Sequence, residues 1–230
     1  MKDTKSARPM SMTIKVDTVV PAEIPILAEQ YQKAMTAERY RDISTALSVS
    51  EASLHSLRVG WDGSSYTFPM CDADGRIIGI RRRFPNGKKV CVTKSRNGLF
   101  LPDGLTGISP LLILEGNSDA AAGLDMGFDC IGRPNCSGGV DLIIRYVKKH
   151  QYQNIVIVAD NDSKPDGSNP GAIGGHRLAA ALRLYCPDIR VVLPPVEYND
   201  LRAWKLAGLN QAKLLKIIKT TIALKLEIRG

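Results

Sequence analysis

Three carboxylates that follow two apolar runs are the residues of this chain best placed to do chemistry. Glu115 comes directly after the run at residues 111–114, and Asp160 and Asp162 follow the run at residues 155–159. Unbroken runs of Leu, Ile and Val are typical of buried strands in a parallel sheet, and ligands gather at the carboxyl ends of such strands. Three carboxylates at one edge would repel one another unless a cation lay among them, and hard oxygen ligands suit Mg²⁺ or Mn²⁺. The pattern therefore predicts a divalent-metal site.

A structural role remains open for each acid taken alone. A strand-end acid is commonly a helix cap or a solvated loop residue, and this alternative applies to Asp119 and Asp162. Strand-end acids are also common in nucleotide-binding folds. Gly116, directly behind Glu115, permits a tight turn of the backbone, which favours a functional role for Glu115.

Composition is that of an ordinary folded protein. The 230 residues are 44% hydrophobic and 23% charged, which allows one large domain or two small ones. No apolar run approaches the roughly 20 residues of a membrane span. The polar N-terminus lacks the apolar stretch of a signal peptide, so we expect a cytoplasmic protein. The five cysteines are scattered without metal-site spacing, and no zinc is expected.

Most of the net charge lies in one short segment. Residues 70–100 hold eight Lys and Arg against two Asp, which is +6 of the total +8. Charge runs are usually solvated faces, but a run this one-sided beside a cluster of acids favours a polyanionic partner. Period-two patterning predicts three antiparallel strands there, the third at residues 88–95. Because side chains alternate along a strand, Arg81 and Arg83 should share one face and Arg82 the other.

Elsewhere the pattern predicts helices, or strands alternating with helices. Residues 26–46 predict one or two helices, and another should begin behind the N-cap Ser50 and stop by Gly60. After residue 106, alternation of strands and helices predicts a parallel sheet with right-handed crossovers. The predicted strands end at residue 114 or span 128–131, 155–159 and 189–193, and the predicted helices span 118–126, 140–149, 175–184 and 211–228.

In this order, the motifs resemble the catalytic core of DnaG-type primases, including the form fused to helicases in some bacteriophages. The resemblance extends over about residues 30–208. Its centre is the toprim signature, which is Glu-Gly followed by Asp and then a strand ending in Asp-x-Asp. The signature is matched by Glu115, Gly116, Asp119, Asp160 and Asp162. Topoisomerases, some nucleases and recombination proteins share this signature.

Flanking segments narrow the resemblance to primases. The stretch TFPMCDADGRIIGIRRRF resembles the family segment that leads to a basic residue, here Arg83, and TKSRNGLF resembles the segment at the entry to the toprim domain. YNDLRAWKLAG resembles the segment in which the family usually has Lys-Asp. Here Asn199 replaces the lysine, whereas Asp200 is retained.

The resemblance implies an α/β fold with a toprim parallel sheet flanked by helices, preceded by a small basic α+β subdomain. The implied division is a flexible leader at residues 1–24, the basic subdomain at 25–106, the toprim catalytic domain at 107–200 and a C-terminal helical segment at 201–230. No zinc-binding module or helicase segment is recognisable, so we expect partners or a longer chain to supply these functions.

The implied activity is that of a DNA-directed primase, a nucleotidyltransferase of DNA replication that makes short primers on single-stranded DNA by two-metal phosphoryl transfer. Glu115, Asp160 and Asp162 would be catalytic and, with Asp200, would hold Mg²⁺ or Mn²⁺, with Asp119 behind them. The implied nucleotide- and DNA-binding residues are Arg76, Arg81, Arg83, Lys94 and Arg96.

The implied partners are a single-stranded DNA template, nucleoside triphosphates and a replicative helicase or a separate template-recognition module. The resemblance implies no membrane partner and a phage or plasmid origin. Two other functions stay open. One is a toprim nuclease, which would use the same acids to position water. The other is a catalytically silent nucleic-acid-binding module that keeps the acids for structural reasons.

Overall fold

The computed structural model describes residues 20–224, and two four-stranded sheets organise them. The helices, in chain order, are α1 (Glu23–Lys33), α2 (Ala37–Leu47), α3 (Glu51–Ser56), α4 (Gly116–Asp125), α5 (Val140–His150), α6 (Pro170–Leu182), α7 (Leu201–Leu206) and α8 (Gln211–Thr220). The strands are β1 (Gly60–Trp61), β2 (Tyr66–Cys71), β3 (Ile77–Arg83), β4 (Lys89–Cys91), β5 (Leu111–Glu115), β6 (Cys130–Arg133), β7 (Asn154–Val158) and β8 (Asp188–Val192).

The N-terminal helices confirm the periodicity of residues 26–46, which form α1 and α2. The Ser50 side chain caps α3 by accepting the Ser53 N–H at 3.1 Å, as predicted. Of the predicted leader at residues 1–24, residues 1–19 lie outside the described part. Residues 23 and 24, which the prediction assigned to the leader, belong to α1.

The basic segment forms an antiparallel sheet in the order β1-β2-β3-β4. The β2–β3 ladder shifts register between Met70 and Cys71, but it is regular from Gly79 to Arg83, so Arg81 and Arg83 share one face and Arg82 lies on the other. The third predicted strand is only three residues long, and the short β1 was not predicted. One face of the sheet packs on α1 through Ile80, and the other packs on α2 and α3 through Phe68.

The second sheet is parallel, in the order β6-β5-β7-β8, and helices cover both of its faces. One face packs on α5 and α6, and the other packs on α7 and α8. The predicted fold class is therefore confirmed: a mixed α/β chain in which a parallel sheet flanked by helices follows a basic α+β part. Burial on both faces explains why these strands are continuous apolar runs.

Three predicted element bounds were wrong because local hydrogen bonds override the apolar pattern. Phe128 does not begin β6, since its N–H still caps α4 on the Gly123 carbonyl at 3.3 Å. Helix α6 begins before residue 175, because the Asn169 side chain caps it and Pro170 suits a first turn. Helix α8 ends at Thr220 and not at residue 228, since the chain becomes extended at the next residue. Residues 225–228 lie outside the described part.

A pair of backbone bonds ties the two sheets together. Phe100 donates to Gly132 at 2.8 Å and accepts its N–H at 3.0 Å, so the chain leaving the basic sheet pairs with the edge strand β6. Helix α4 adds to the junction by packing Ala120, Ala121 and Ala122 against the core of the basic part. Within residues 20–224, no helix is long and apolar enough to cross a membrane.

Candidate active site

The carboxyl edge of the parallel sheet carries the predicted acids. Glu115 is the last residue of β5, and Asp160 and Asp162 come just after β7, its neighbour in the sheet. Asp119 is buried in the first turn of α4, and Asp200 caps α7. The sheet and two helix starts therefore bring all five carboxylates to one edge.

Asp160 lies at the electrostatic centre of this group. Burial raises its pKa to about 8, and the charges of Asp119, Glu115, Asp200 and Asp162 add to the increase. Burial also raises the pKa of Asp119, to about 7, and Asp200 contributes as a second cause. The charges of these acids therefore act on one another across the site.

Asp160 and Asp162 differ in what they contact. The Asp162 carboxylate accepts the Gly171 N–H at 2.9 Å, which links it to the start of α6. Gly171 also packs on the Asp160 carbonyl so closely that an added Cβ would lie 2.2 Å from that oxygen. The Asp160 carboxylate itself is half-buried and has no hydrogen bond within residues 20–224, so both of its oxygens are free to bind a ligand.

Two acids are held by the start of α7. Asp200 accepts the Ala203 N–H at 2.6 Å, and Asp119 accepts the Arg202 N–H at 2.9 Å. Asp200 is therefore the N-cap of α7, whereas Asp119, for which a capping role was the alternative, joins α4 to α7. Since each carboxylate has further lone pairs, neither bond prevents a second interaction.

Glu115 makes an ion pair with Arg133 on the neighbouring strand. Arg133 Nη2 donates to Glu115 Oε1 at 3.2 Å, and the two residues are opposite in the β5–β6 register. Burial raises the pKa of Glu115, with Arg133 opposing the increase and Asp162 adding to it. The charge of the guanidinium therefore offsets part of the repulsion between Glu115 and Asp162.

The chemistry of the donors fits a divalent metal such as Mg²⁺. Every candidate ligand is a carboxylate, and oxygen donors with accumulated negative charge are what Mg²⁺ and Mn²⁺ prefer. Within residues 20–224, no group of three or more His, Cys, Asp or Glu side chains is already arranged closely enough to hold a metal ion. The free carboxylate of Asp160, surrounded by four like charges, is the observation that favours a cation.

Two basic residues of the antiparallel sheet lie near these acids. Arg83 and Lys89 are paired across β3 and β4, which puts their side chains on one face. Burial lowers the pKa of Arg83, and Arg202 lowers it further. Lys89 is exposed at its position in β4, but partial desolvation lowers its pKa, with Arg83 contributing and Asp119 opposing the shift. These effects place Arg83, Lys89 and Arg202 together beside the carboxylates.

Other predicted basic residues lie in different surroundings. Arg81 donates to Asn97 at 3.2 Å, and Lys94 pairs with Glu23 of α1 at 3.2 Å. Arg76 is exposed at the opposite end of β3 from Arg83, and Arg96 is half-buried. Their proposed contacts with nucleic acid stay predictions.

The candidate residues predicted from the sequence did not include Arg133, Arg202 or Lys89. Arg133 was hidden because the predicted β6 ended two residues early, at residue 131. The role of Lys89 could have been predicted, because the predicted hairpin places Lys89 near Arg83. Arg202 follows Asp200 by two residues, but only the packing of α7 on α4 brings it to the acids.

The fold is similar to those of known primases. The structure of the DnaG catalytic core matches with a TM-score of 0.64 at 15% identity, covering 86% of this chain and 78% of that one. A DnaG primase catalytic domain bound to single-stranded DNA matches with a TM-score of 0.62 at 14% identity, covering 86% and 79%. The primase fragment of the bacteriophage T7 primase-helicase matches with a TM-score of 0.53 at 15% identity, covering 75% and 71%.

Comparisons with protein-family models and with curated protein sequences gave no match. These structural matches cover 75–86% of this chain. The chain therefore has the fold of a DnaG-type primase catalytic core.

Proposed function

We propose that this chain is a toprim-type primase core that synthesises short oligonucleotide primers on single-stranded DNA. The observation that carries the proposal is the free, half-buried Asp160 among four further carboxylates, within a primase fold. Arg83, Lys89 and Arg202 supply positive charge beside these acids. This arrangement suits a nucleoside triphosphate. The basic side chains would bind its phosphates, and the α-phosphate would react beside the carboxylates.

The carboxylates have distinct roles in this proposal. Asp160, Asp162 and Asp200 would hold divalent ions, with Glu115 completing the site or accepting the proton of the attacking 3′-hydroxyl. When bound, the ions polarise the α-phosphate and neutralise charge on the leaving pyrophosphate. Asp119 would orient α7 through its bond to the Arg202 N–H.

The basic residues divide by position. Arg83 and Lys89, which are paired beside the acids, would bind the triphosphate. Arg81, Lys94 and Arg96 would contact the template backbone, because they belong to the segment that carries most of the net positive charge. Arg76, at the far end of β3, would make only weak, salt-sensitive contacts of this kind.

Partners and location follow from the same proposal. One structural neighbour is bound to single-stranded DNA, and another is part of a primase-helicase. We therefore propose a DNA template, nucleoside triphosphates and a helicase or template-recognition module as partners, in the cytoplasm of a phage- or plasmid-bearing cell. The proposed segments remain residues 25–106, 107–200 and 201–230.

A synthesis assay separates this function from the two alternatives. The protein is incubated with single-stranded DNA of varied sequence, labelled ribonucleotides and Mg²⁺ or Mn²⁺. We expect short labelled oligonucleotides, in low yield and with loose template preference. Degradation of the template without new oligonucleotides would support a nuclease. Binding of DNA with neither product, even when a pre-annealed primer is offered, would support a silent binding module.

A further inference from the structure

Arg133 is a buried cation whose one ionic partner within residues 20–224 is Glu115. Its side chain is 1% exposed, and it is among the largest fully buried side chains of the described protein. Nη2 donates to Glu115, whereas Nε and Nη1 have no hydrogen-bond partner within residues 20–224. A buried charge is costly unless it is paired, so the position of Arg133 depends on Glu115.

Glu115 depends on Arg133 in return. It is surrounded by acids, and the charge of Asp162 is near enough to act on it. Its side chain has several rotatable bonds, and Gly116 turns the backbone sharply behind it with φ of 75°. Without an attraction on its inner side, repulsion would push the Glu115 carboxylate towards solvent and away from Asp160.

We propose that Arg133 is a positioning residue that holds the Glu115 carboxylate within the acid cluster before a divalent ion binds. This inference rests on the proposed function, because it takes the cluster to be a metal site. Arg133 is too deeply buried to reach a nucleotide, so it acts through Glu115 alone. Partners that orient a ligating carboxylate typically change metal affinity by about 10- to 100-fold when they are removed.

The test is direct Mn²⁺ binding, measured by calorimetry or by electron paramagnetic resonance of free Mn²⁺. The proteins are wild type, Arg133→Met, Arg133→Lys, Glu115→Gln and the double variant Arg133→Met/Glu115→Gln. We expect Arg133→Met to weaken Mn²⁺ binding about 10-fold, with Arg133→Lys between it and wild type. The double variant should bind no more weakly than Glu115→Gln alone, because the effect of Arg133 passes through Glu115.

Circular dichroism and thermal unfolding identify variants that fail to fold. If Arg133→Met does not fold, Mn²⁺ binding is compared in the two remaining Arg133 variants. Arg133→Lys keeps the buried positive charge, and the double variant removes both partners of the ion pair, so neither leaves an unpaired buried charge. Unchanged or tighter Mn²⁺ binding by the folded Arg133 variants would overturn the proposal. Tighter binding would mean that the positive charge of Arg133 merely repels the metal ion. Independent losses that add in the double variant would also overturn it.

This measurement separates the inference from the proposed function. If wild type binds Mn²⁺ and Arg133→Met binds it equally well, only the role of Arg133 is lost. If wild type does not bind Mn²⁺, the metal site is lost and this inference with it. Primer synthesis is not needed for either result.

Discussion

Asp160 is the residue at which repulsion between carboxylates is greatest in the candidate site, and this repulsion favours binding of a cation. Its carboxylate is half-buried, carries no hydrogen bond within residues 20–224 and is surrounded by four other acids. A residue placed in this way disfavours the metal-free ionised state, and a divalent ion relieves the repulsion. The cost in stability and the capacity to bind metal therefore have the same physical origin.

We predict that Asp160→Asn stabilises the protein in a chelator at pH 8. A carboxyl whose pKa is raised on folding favours the folded state at low pH, and this contribution is lost as pH rises from about 4 to about 8. The variant has no charge to bury, so its free energy of unfolding at pH 8 should exceed that of wild type by on the order of 2 kcal/mol.

The measurement is urea unfolding at pH 5 and pH 8. The gain should shrink at the lower pH, where the native carboxyl is already protonated. The control is Asp42→Asn, at an exposed position on α2. Equal stability of wild type and Asp160→Asn at pH 8 would contradict the proposed repulsion.

The basic residues allow a second prediction at this scale. Arg83→Ala and Lys89→Ala should each raise the apparent KM for the nucleotide or lower kcat by about 10- to 100-fold, since each would remove a charged hydrogen bond to phosphate. Lys88→Ala is the matched control, because Lys88 lies at the neighbouring turn and, unlike Lys89, is not paired with Arg83 across β3 and β4. It should mainly weaken salt-sensitive binding to single-stranded DNA. Equal, mild effects at all three positions would show a general electrostatic surface.

Among the secondary-structure elements, α4 and α7 matter most for the candidate site, because they carry Asp119 and Arg202. A cluster around Asp125, at the end of α4, fixes their arrangement. Asp125 accepts the Ser50 N–H at 3.0 Å and hydroxyl hydrogen bonds from Ser50 and Ser53, and it pairs with Lys205 of α7. Burial opposes ionisation, but the hydrogen bonds from Lys205, Ser50 and Ser53 together lower the pKa of Asp125.

We predict that Asp125→Ala destabilises the protein by about 2–4 kcal/mol, since α3 and α7 both lose the charged partner that joins them to α4. It should also lower primer synthesis, because α7 would no longer be held against α4. Asp141→Ala, at an exposed site on α5, is the control. Chemical denaturation of both variants gives the comparison, and a loss at Asp125 no larger than at Asp141 would contradict this role.

The accuracy of the sequence predictions differs among elements for physical reasons. The strands of Glu115 and Asp160 were predictable because burial on both faces demands a continuous apolar run. Strand β6 was displaced by two residues, since its position depends on the pairing of Phe100 with Gly132, which is distant in sequence. Arg133 was lost with that displacement. The position of Arg202 beside the acids could not be predicted, because it depends on a contact between α7 and α4 and not on a local motif.

At the scale of the whole molecule, the two sheets bring opposite charges together. The basic sheet supplies Arg83 and Lys89, and the parallel sheet supplies the carboxylates at its edge. The pairing of Phe100 with Gly132 fixes one sheet beside the other. A polyanion that meets the basic face would have its phosphates held next to the acids, which is the arrangement that nucleotidyl transfer requires.

The central claim is that Asp160 belongs to a nucleotidyl-transfer site. It is tested most directly by the rate of single-nucleotide addition to a primer already annealed to its template, in Mg²⁺ or Mn²⁺. Wild type should extend the primer, Lys88→Ala should do so at a similar rate at low salt, and folded Asp160→Ala should be slower by at least about 100-fold. Extension by folded Asp160→Ala at nearly the wild-type rate would contradict the account.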